Sequence, residues 1–285
     1  MGQQAVDDLV QLLDLEHIEV NIFRGSSPDS ARQRVFGGQV AGQALVAATR
    51  TVEPPFHVHS LHAYFLRPGD TKVPILYDVD RIRDGKTFVT RRVVAIQHGK
   101  AIFNLSASFQ APEDGFDHED PMPVGVPDPE DLPTFQERMK DFAHLLGDLE
   151  YERDRPIDAR PANWDPHDRG KPLPPSQLVW MRADGRLPDD PVLHDCVFTY
   201  ASDLTLLDTT TLPHGVTGAS GDVFMASLDH AMWFHRPFRA DEWLLYVQHT
   251  PSTSGGRGFA QGSVFSRDGR LVISVAQEGL LRRMR

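Results

Sequence analysis

Three polar residues in the last third of the chain could together activate a water molecule: Asp203, Ser227 and Gln277. A carboxylate can accept a proton from water, while a hydroxyl and an amide can hold that water by hydrogen bonds. With Asp203 as the general base, the water could attack a carbonyl carbon without a covalent intermediate. Burial would raise the pKa of the carboxylate and make it a stronger base, whereas a nearby helix N-terminus would lower that pKa. The sequence leaves both effects open.

An internal repeat indicates that only one such set exists. Residues 65–68 read Phe-Leu-Arg-Pro and residues 234–237 read Phe-His-Arg-Pro, and predicted strands and turns follow each motif. Aligning the two copies places three residues of the first copy opposite the polar set: Gln39, Val58 and Ala107. The first copy therefore lacks the carboxylate, the hydroxyl and the amide, and one polar set is predicted to serve two similar units.

The elements that must position this set are two helices and two groups of strands. The run from Val40 to Thr49 has small or apolar residues on nearly every face, which predicts a buried helix. A second helix is predicted over 190–212, with Asp203 near its middle. Strands are predicted at 17–24, 58–66, 73–83, 86–97, 100–110, 177–182, 223–235, 242–250, 257–266 and 271–279. Each unit is thus one helix against an antiparallel sheet, and the predicted fold is an α+β double hotdog with two tandem sheets, each wrapped around a central helix.

A proline-rich segment separates the two units. Residues 111–175 contain 12 of the 22 prolines, which predicts a connector that wraps the surface. One amphipathic helix is predicted within it, from the apolar stripe Phe135, Met139, Phe142, Leu145, Leu146 and Leu149. The predicted organisation is an N-terminal hotdog unit over 1–110, the connector over 111–175 and a C-terminal hotdog unit over 176–285.

Composition limits the possible partners and compartments. The net charge is −11, which argues against nucleic acid or an anionic membrane surface as a partner. Local basic residues could still serve a small anionic ligand. The chain has one cysteine, Cys196, so no disulfide framework forms within it and a cytoplasmic location is expected. No apolar run is long enough to predict a membrane span.

Known cofactor and metal motifs do not occur in the sequence. The 13 histidines show no HExxH-type spacing, and there is no Gly-x-Ser-x-Gly elbow, P-loop or dinucleotide fingerprint. Gly37 and Gly38 fit close backbone approach at a helix start better than a nucleotide loop. No cofactor and no metal are therefore predicted.

Each candidate residue also has a simpler structural interpretation. An aspartate after a serine near a helix is most often a cap, Ser227 could bond to strand backbone, and Gln277 could lie on a sheet surface. Asp229 and His230 fit a satisfied strand pair as well as a catalytic pair. Cys196 lies in an apolar stretch, which predicts a buried and inert thiol.

Several segments, in the same order along the chain, resemble the acyl-CoA thioesterase II family of double-hotdog hydrolases. They are Val35–Val40, Tyr64–Asp70, Ser106–Pro112, Tyr200–Leu204, Asp229–Pro237 and Gln277–Gly279. The resemblance implies that Asp203, Ser227 and Gln277 activate the hydrolytic water, with serine where close bacterial relatives usually have threonine. It further implies hydrolysis of fatty acyl-CoA to fatty acid and CoA, with the acyl chain in an apolar tunnel between sheet and helices.

The substrate implied by the resemblance sets two further requirements. The carbonyl oxygen needs hydrogen-bond donors, which backbone N–H groups at a helix N-terminus could supply. The CoA phosphates need basic residues at the tunnel mouth, for which the candidates are Arg91, Arg92, Arg257, Arg282, Arg283 and Arg285. A homo-oligomer is also expected.

Two other functions compete with thioester hydrolysis. A hotdog acyl-CoA hydratase needs a histidine with an acidic partner on the central helix, and Asp203 has no histidine nearby in sequence. A non-catalytic acyl-CoA binding protein would tolerate loss of the polar set, yet all three residues are present.

Overall fold

The computed structural model describes residues 2–28, 34–146, 154–168, 170–217 and 221–284. Within them one antiparallel sheet extends through both units. Its strands are β1 Glu16–Glu19, β2 Ile22–Gly25, β3 His57–Phe65, β4 Ile75–Asp84, β5 Phe88–Gln97, β6 Lys100–Gln110, β7 Ile157–Pro161, β8 Ser176–Ala183, β9 Val223–Ser227, β10 Asp229–Phe234, β11 Leu244–Ser254, β12 Arg257–Ser266 and β13 Leu271–Arg283. Their order across the sheet is β1-β2-β4-β5-β6-β3-β10-β13-β12-β11-β8-β7, and β9 pairs separately with β13.

The two units join edge to edge at the middle of this sheet. Strand β3 of the N-terminal unit pairs antiparallel with β10 of the C-terminal unit, and Leu61 lies opposite Met232. Both side chains are fully buried. The predicted α+β double hotdog is confirmed, and its two sheets form one continuous surface.

The repeated Arg-Pro motif has the same structural role in each unit. Arg67 donates from Nη1 to the carbonyl of Ala101 at 2.6 Å, and Arg236 donates from Nη1 to the carbonyl of Leu271 at 2.8 Å. Each acceptor lies at the start of the last long strand of its unit. The arginine therefore ties the end of one strand to the hairpin that follows, which explains why the sequence keeps it in both copies.

The first helix is α1 (Gly2–Leu13). Two central helices, α2 (Gly37–Thr49) and α5 (Pro191–Ser202), lie against the sheet and against each other. The N-terminal end of α2 meets the C-terminal end of α5, where a Cβ on Gly38 would lie 2.3 Å from the Tyr200 carbonyl oxygen. Residues 38–48 of α2 are all buried, as predicted. The close contact requires glycine at the start of α2, since any side chain would push the helices apart.

The second central helix is shorter than the predicted 190–212. It begins at the Asp190 cap, whose side chain accepts from the Val192 N–H, and its C-cap is Asp203. A 3-10 segment, Leu207–His214, follows. Threonine hydroxyls there bond to nearby carbonyls, as Thr210 Oγ1 does to Leu207 O, and such bonds compete with helix continuation.

The shorter helix also corrects the alignment of the two copies. Gln39 lies in the first turn of α2, whereas Asp203 follows the last turn of α5. The helix position that corresponds to Asp203 is therefore the C-cap of α2, Arg50, and the predicted match with Gln39 is wrong. The error arose because the loop between helix and strand is longer in the second unit.

Three other predicted elements are interrupted in the structure. Residues 17–24 form a hairpin rather than one strand, because Asn21 turns the chain with a φ of 63°. The strand over 223–235 breaks at Leu228, whose N–H and carbonyl bond to Glu278 and Phe65. The connector helix is divided into α3 (Phe135–Met139), a 3-10 turn and α4 (Ala143–Leu146), and Leu149 lies outside the described residues.

The connector contributes to the fold more than predicted. Its β7 pairs with β8 as an edge strand, a position that tolerates the terminal Pro161. The earlier part of the connector covers the outer face of the C-terminal sheet, where Trp180 donates from Nε1 to the Pro127 carbonyl at 2.9 Å. Acidic connector residues also pair with arginines, as Glu119 does with Arg270 at 2.7 Å. Burial and ion pairs therefore fix the connector against the sheet.

Candidate active site

The structure brings the three predicted polar residues into direct contact. Gln277 Nε2 donates to Asp203 Oδ1 at 2.6 Å and to Ser227 Oγ at 3.0 Å. Ser227 Oγ donates to the same Asp203 Oδ1 at 3.2 Å. Gln277 is fully buried, whereas Asp203 and Ser227 are only partly buried. The carboxylate and the hydroxyl therefore stay within reach of water from one side.

Each of the three side chains comes from a different secondary-structure element. Asp203 caps α5, Ser227 ends β9 and Gln277 lies in β13. Ser227 lies opposite Gly279 in the β9–β13 pairing, and alternate residues of a strand face the same side. Gln277, Gly279 and Ser227 therefore share the inner face. Gly279 has no side chain, which leaves room for Leu207 to cover the strand there.

The N-terminal unit completes the site through the start of α2. The backbone N–H of Gly38 donates a hydrogen bond to the Asp203 carboxylate. A Cβ on Gly37 would lie 2.6 Å from Asp203 Oδ2 and 2.9 Å from the Phe65 ring. The N-cap residue Phe36 provides no side-chain cap, so the helix start presents further backbone N–H groups to the site. The sequence indicated close approach at these glycines but did not connect them with Asp203.

Burial raises the pKa of Asp203 from its ordinary value to about 6. The hydrogen bonds from Gln277, Ser227 and Gly38 act in the opposite direction, because they stabilise the charged form. Of the two effects that the sequence left open, burial is the larger. At neutral pH the carboxylate stays mostly charged and is a stronger base than an ordinary aspartate.

Gln277 retains one unused hydrogen-bonding atom. Its Oε1 is buried and has no hydrogen-bond partner among the described residues. The amide orientation follows from the network, because Ser227 Oγ and the carboxylate both accept from the nitrogen. A buried acceptor without a partner is costly, and a small polar molecule in the site would satisfy it.

In the N-terminal unit, an arginine lies across the strand pair from Ala107, the residue that corresponds to Gln277. Arg91 lies opposite Ala107 in the β5–β6 pairing, as Ala260 lies opposite Gln277 in β12–β13. Arg91 is 2% exposed. It donates to Thr51 Oγ1 at 2.8 Å, to Thr51 O at 3.0 Å and to Asp84 Oδ1 at 2.5 Å. Arg91 is therefore structural, which removes it from the candidates for the CoA phosphates.

A second polar pair, Ser202 and His230, lies directly behind Asp203. Ser202 Oγ is 2.8 Å from His230 Nε2 and donates to the Thr199 carbonyl at 2.9 Å. Because the Ser202 hydroxyl donates its proton to the Thr199 carbonyl, the imidazole Nε2–H of His230 must be the donor to Ser202 Oγ. Burial lowers the pKa of His230 to about 4, which keeps it neutral. The pair fixes the end of α5, and the sequence analysis missed it because its members lie far apart in the chain.

The other candidates have structural partners. Asp229 Oδ1 accepts from the Glu278 N–H at 2.7 Å, which fits the predicted strand pair. Cys196 is completely buried, and burial raises the pKa of its thiol. The predicted burial of this thiol is confirmed, and its inertness stays a prediction.

A buried amide cluster supports the segment that follows Asp203. Gln248 donates from Nε2 to Thr205 Oγ1 at 2.6 Å, and Gln177 donates from Nε2 to the Thr205 carbonyl at 3.0 Å. Trp164 of the connector donates from Nε1 to Gln177 Oε1 at 2.9 Å. The connector thus stabilises the loop beside the site, a role that no sequence pattern indicated.

Two kinds of feature are absent from the described residues. They contain no cluster of three or more histidine, cysteine, aspartate or glutamate side chains placed to bind a metal ion. Within the same part of the chain, no helix has the length and apolar character needed to cross a membrane.

Comparison with known proteins covers both units. Residues 26–110 match the family described as acyl-CoA thioesterase N-terminal domain, and residues 148–280 match the family described as acyl-CoA thioesterase. Human acyl-coenzyme A thioesterase 8 is 42% identical over 95% of this chain and 88% of its own length. Acyl-CoA thioesterase 2 of Haemophilus influenzae is 40% identical over 97% of this chain and 98% of its own.

This chain belongs to the acyl-CoA thioesterase family. A solved structure agrees with that assignment: an acyl-CoA thioesterase II from Mycobacterium marinum is 47% identical and superposes with a TM-score of 0.79, covering 97% of this chain and 98% of the other. The family resemblance found in the sequence is confirmed. As a member of this family, the protein is a thioester hydrolase, which also confirms the predicted class of enzyme.

Proposed function

We propose that the protein hydrolyses fatty acyl-CoA to free fatty acid and CoA by direct attack of water. Asp203 is the general base, and Ser227 and Gln277 position the water. The observation that carries the proposal is the convergence of the Gln277 amide and the Ser227 hydroxyl on Asp203 Oδ1. A water that enters the site replaces one of these contacts and is then held by all three groups.

The proposed reaction conserves atoms and protons without a covalent enzyme intermediate. The water gives a proton to Asp203 as its oxygen bonds to the thioester carbonyl carbon. The carbonyl oxygen becomes an oxyanion, which accepts hydrogen bonds from the uncapped N–H groups at the start of α2. Collapse of the tetrahedral adduct breaks the carbon–sulfur bond. The CoA thiolate takes up the proton from Asp203, and the fatty acid leaves.

The hydratase alternative lacks a suitable histidine in this geometry. The histidine of α5, His194, accepts from the Ala240 N–H through Nδ1 at 3.0 Å, so that nitrogen is occupied. His230 contacts Ser202 rather than Asp203. The division into units over 1–110, 111–175 and 176–285, the cytoplasmic location and the homo-oligomer stay predictions.

The test is release of CoA from palmitoyl-CoA, followed with a thiol reagent. Wild-type protein is expected to release CoA, and Asp203→Asn is expected to lose about 10²–10⁴-fold in kcat, as removal of a general base does. Asp114→Asn, which neutralises an exposed carboxylate of the connector, is the matched control and is expected to retain activity. Binding of palmitoyl-CoA without release by the wild type would favour the non-catalytic alternative.

The folded state of Asp203→Asn provides the second control. The unfolded carboxyl group ionises near pH 4 and the folded one near pH 6. Above about pH 6 the carboxyl group of Asp203 is charged in both states. Because charging it is less favourable in the folded state, ionisation lowers the free energy of unfolding of the wild type. The variant is expected to melt no lower than wild type at pH 7, so lost activity would not reflect unfolding.

A further inference from the structure

Three arginines surround the far end of the β9–β13 pair, beyond the polar set. We infer that Arg34, Arg282 and Arg283 bind the phosphate groups of CoA. The inference rests on the proposed function, because it assigns the phosphate subsite of the same substrate.

The structure distinguishes among the arginines that the sequence offered as equal candidates for binding the CoA phosphates. Arg91 is buried and donates hydrogen bonds to Thr51 and Asp84. Arg92 pairs with Asp80 at 3.3 Å, and Arg257 pairs with Glu278 at 2.9 Å. Arg285 lies outside the described residues.

Arg282 and Arg283 differ from these candidates. Both are exposed, and neither makes an ion pair or a side-chain hydrogen bond within the part of the chain that the structure describes. Their guanidinium groups are therefore available to an anionic ligand.

The pairing register places these arginines close to the polar set. In β9–β13, Ser227 lies opposite Gly279, Phe224 opposite Arg282 and Val223 opposite Arg283. Arg34, just before α2, lies with its guanidinium carbon 5.5 Å from the centre of the Phe224 ring. Arg34 thus comes from the segment that supplies Gly38, and Arg282 and Arg283 come from the strand that supplies Gln277, with one of them on each face of that strand.

Arg283 also shares a strand face with Gln277. Alternate residues of β13 point to the same side, which places Gln277, Gly279, Leu281 and Arg283 in one row. A cavity of about 200 Å³ lies at the end of this row, lined by Arg283, Leu281, Val223, His214 and Arg257 among others. Arg283 gives this cavity an unpaired positive charge, whereas the charge of Arg257 is already paired with Glu278.

The distances agree with the length of the substrate. Ser227 and Val223 are four residues apart, or roughly 13 Å along a strand, and Gln277 and Arg283 are six apart, or roughly 20 Å. The pantetheine arm between the CoA sulfur and the first phosphate is about as long as four extended residues, roughly 15 Å. A thioester carbonyl at Asp203 would therefore place the phosphates beside the arginines.

Arginine suits this ligand chemically. Its planar guanidinium group binds phosphate oxygens in pairs and remains charged at any physiological pH. Stacking of Arg34 on Phe224 restricts its side chain, so less entropy is lost on binding. Three such groups would also attract CoA towards an otherwise acidic protein, in a manner that salt weakens.

The test compares two thioesters of one fatty acid, one with CoA and one with pantetheine, which has no phosphate. Arg34→Ala, Arg282→Ala and Arg283→Ala are each expected to lower the ratio of kcat/KM for acyl-CoA over acyl-pantetheine on the order of threefold, and the triple variant roughly tenfold or more. The change should come from KM. Arg92→Ala removes an exposed, paired arginine of the N-terminal unit and is the matched control.

Titration calorimetry with CoA gives a readout that does not depend on hydrolysis. The Kd for CoA should rise in the alanine variants and recover in part in Arg283→Lys, which keeps the charge. Unchanged ratios and unchanged CoA affinity in the three variants would overturn the inference and leave the proposed function intact. If the wild type hydrolysed neither thioester, the proposed function would fail, and the calorimetry would still decide the phosphate site.

Discussion

The backbone N–H of Gly38 in the N-terminal unit donates a hydrogen bond to the Asp203 carboxylate in the C-terminal unit. Gly38 lies in the first turn of α2, and Asp203 is the C-cap of α5. The unit that lacks the polar set therefore supplies the backbone that completes the site. Catalysis should depend on how closely the two helix ends approach.

Gly37→Ala tests that dependence. The new Cβ would lie 2.6 Å from Asp203 Oδ2, so the carboxylate must move. Because displacement of a catalytic group by about 1 Å can cost on the order of a hundredfold, kcat is expected to fall at least tenfold. Gly115→Ala, where a Cβ meets nothing within 4 Å, is the control. Wild-type turnover in a folded Gly37→Ala variant would contradict this geometry.

The pH–rate profile should report the raised pKa of Asp203. A general base must be deprotonated, so kcat/KM is expected to fall as pH drops through about 6 and to level off above pH 7. An ordinary aspartate would place this limb near pH 4. Initial rates with a substrate that does not titrate between pH 4 and 8 measure it, and a limb near pH 4 would show that burial does not control the base.

Gln277 and Ser227 should act as one unit. Gln277→Ala and Ser227→Ala each remove a donor to Asp203 Oδ1, and each is expected to slow hydrolysis. Because both hold the same water, the double variant should lose less than the product of the single losses. Strictly multiplicative losses in kcat would indicate that the two side chains serve separate steps.

Ser227→Thr is the conservative control for that comparison. The family resemblance implies threonine as the usual residue at this position, and Ser227 is only partly buried. The hydroxyl is retained and its rotamers become fewer. Activity close to wild type is expected.

The sequence predicted the polar set because two copies of one unit could be compared. Ser227 and Gln277 lie in strands whose spacing the repeat preserves. Comparison with Val58 and Ala107 of the first copy therefore showed that the hydroxyl and the amide occur only in the second copy. Asp203 was found although its alignment with Gln39 was wrong, because neither Gln39 nor the true counterpart Arg50 is a carboxylate. The strand patterns likewise predicted the fold class, because alternation and tight turns are local signals.

The remaining features depend on contacts that no local pattern encodes. The bond from Gly38 to Asp203 joins residues far apart in the chain, as does the Ser202–His230 pair. Arg91 stood among the candidates for CoA phosphates because its hydrogen bonds to Thr51 and Asp84 cannot be read from the sequence. Among the arginines, only the β9–β13 register identifies which ones lie near the polar set.

The last prediction concerns the two units, which should not fold alone. Expressed separately, residues 1–110 lose the pairing of β3 with β10, and Leu61 loses its cross-strand neighbour Met232. The buried helix α2 also loses its contact with α5, and residues 176–285 suffer the reciprocal losses. An exposed edge of long strands is an association hazard, so each half alone is expected to aggregate.

Expression of each half alone and of both together tests this expectation. Co-expressed halves should form a soluble one-to-one complex, because β3 and β10 can pair without a covalent link between them. Amide exchange should then show slow exchange for β3 only when residues 176–285 are present. A soluble, monomeric half with well-protected β3 amides would refute a single cooperative sheet. In that case the two units would be separate domains, and the bond from Gly38 to Asp203 would join two independently stable bodies.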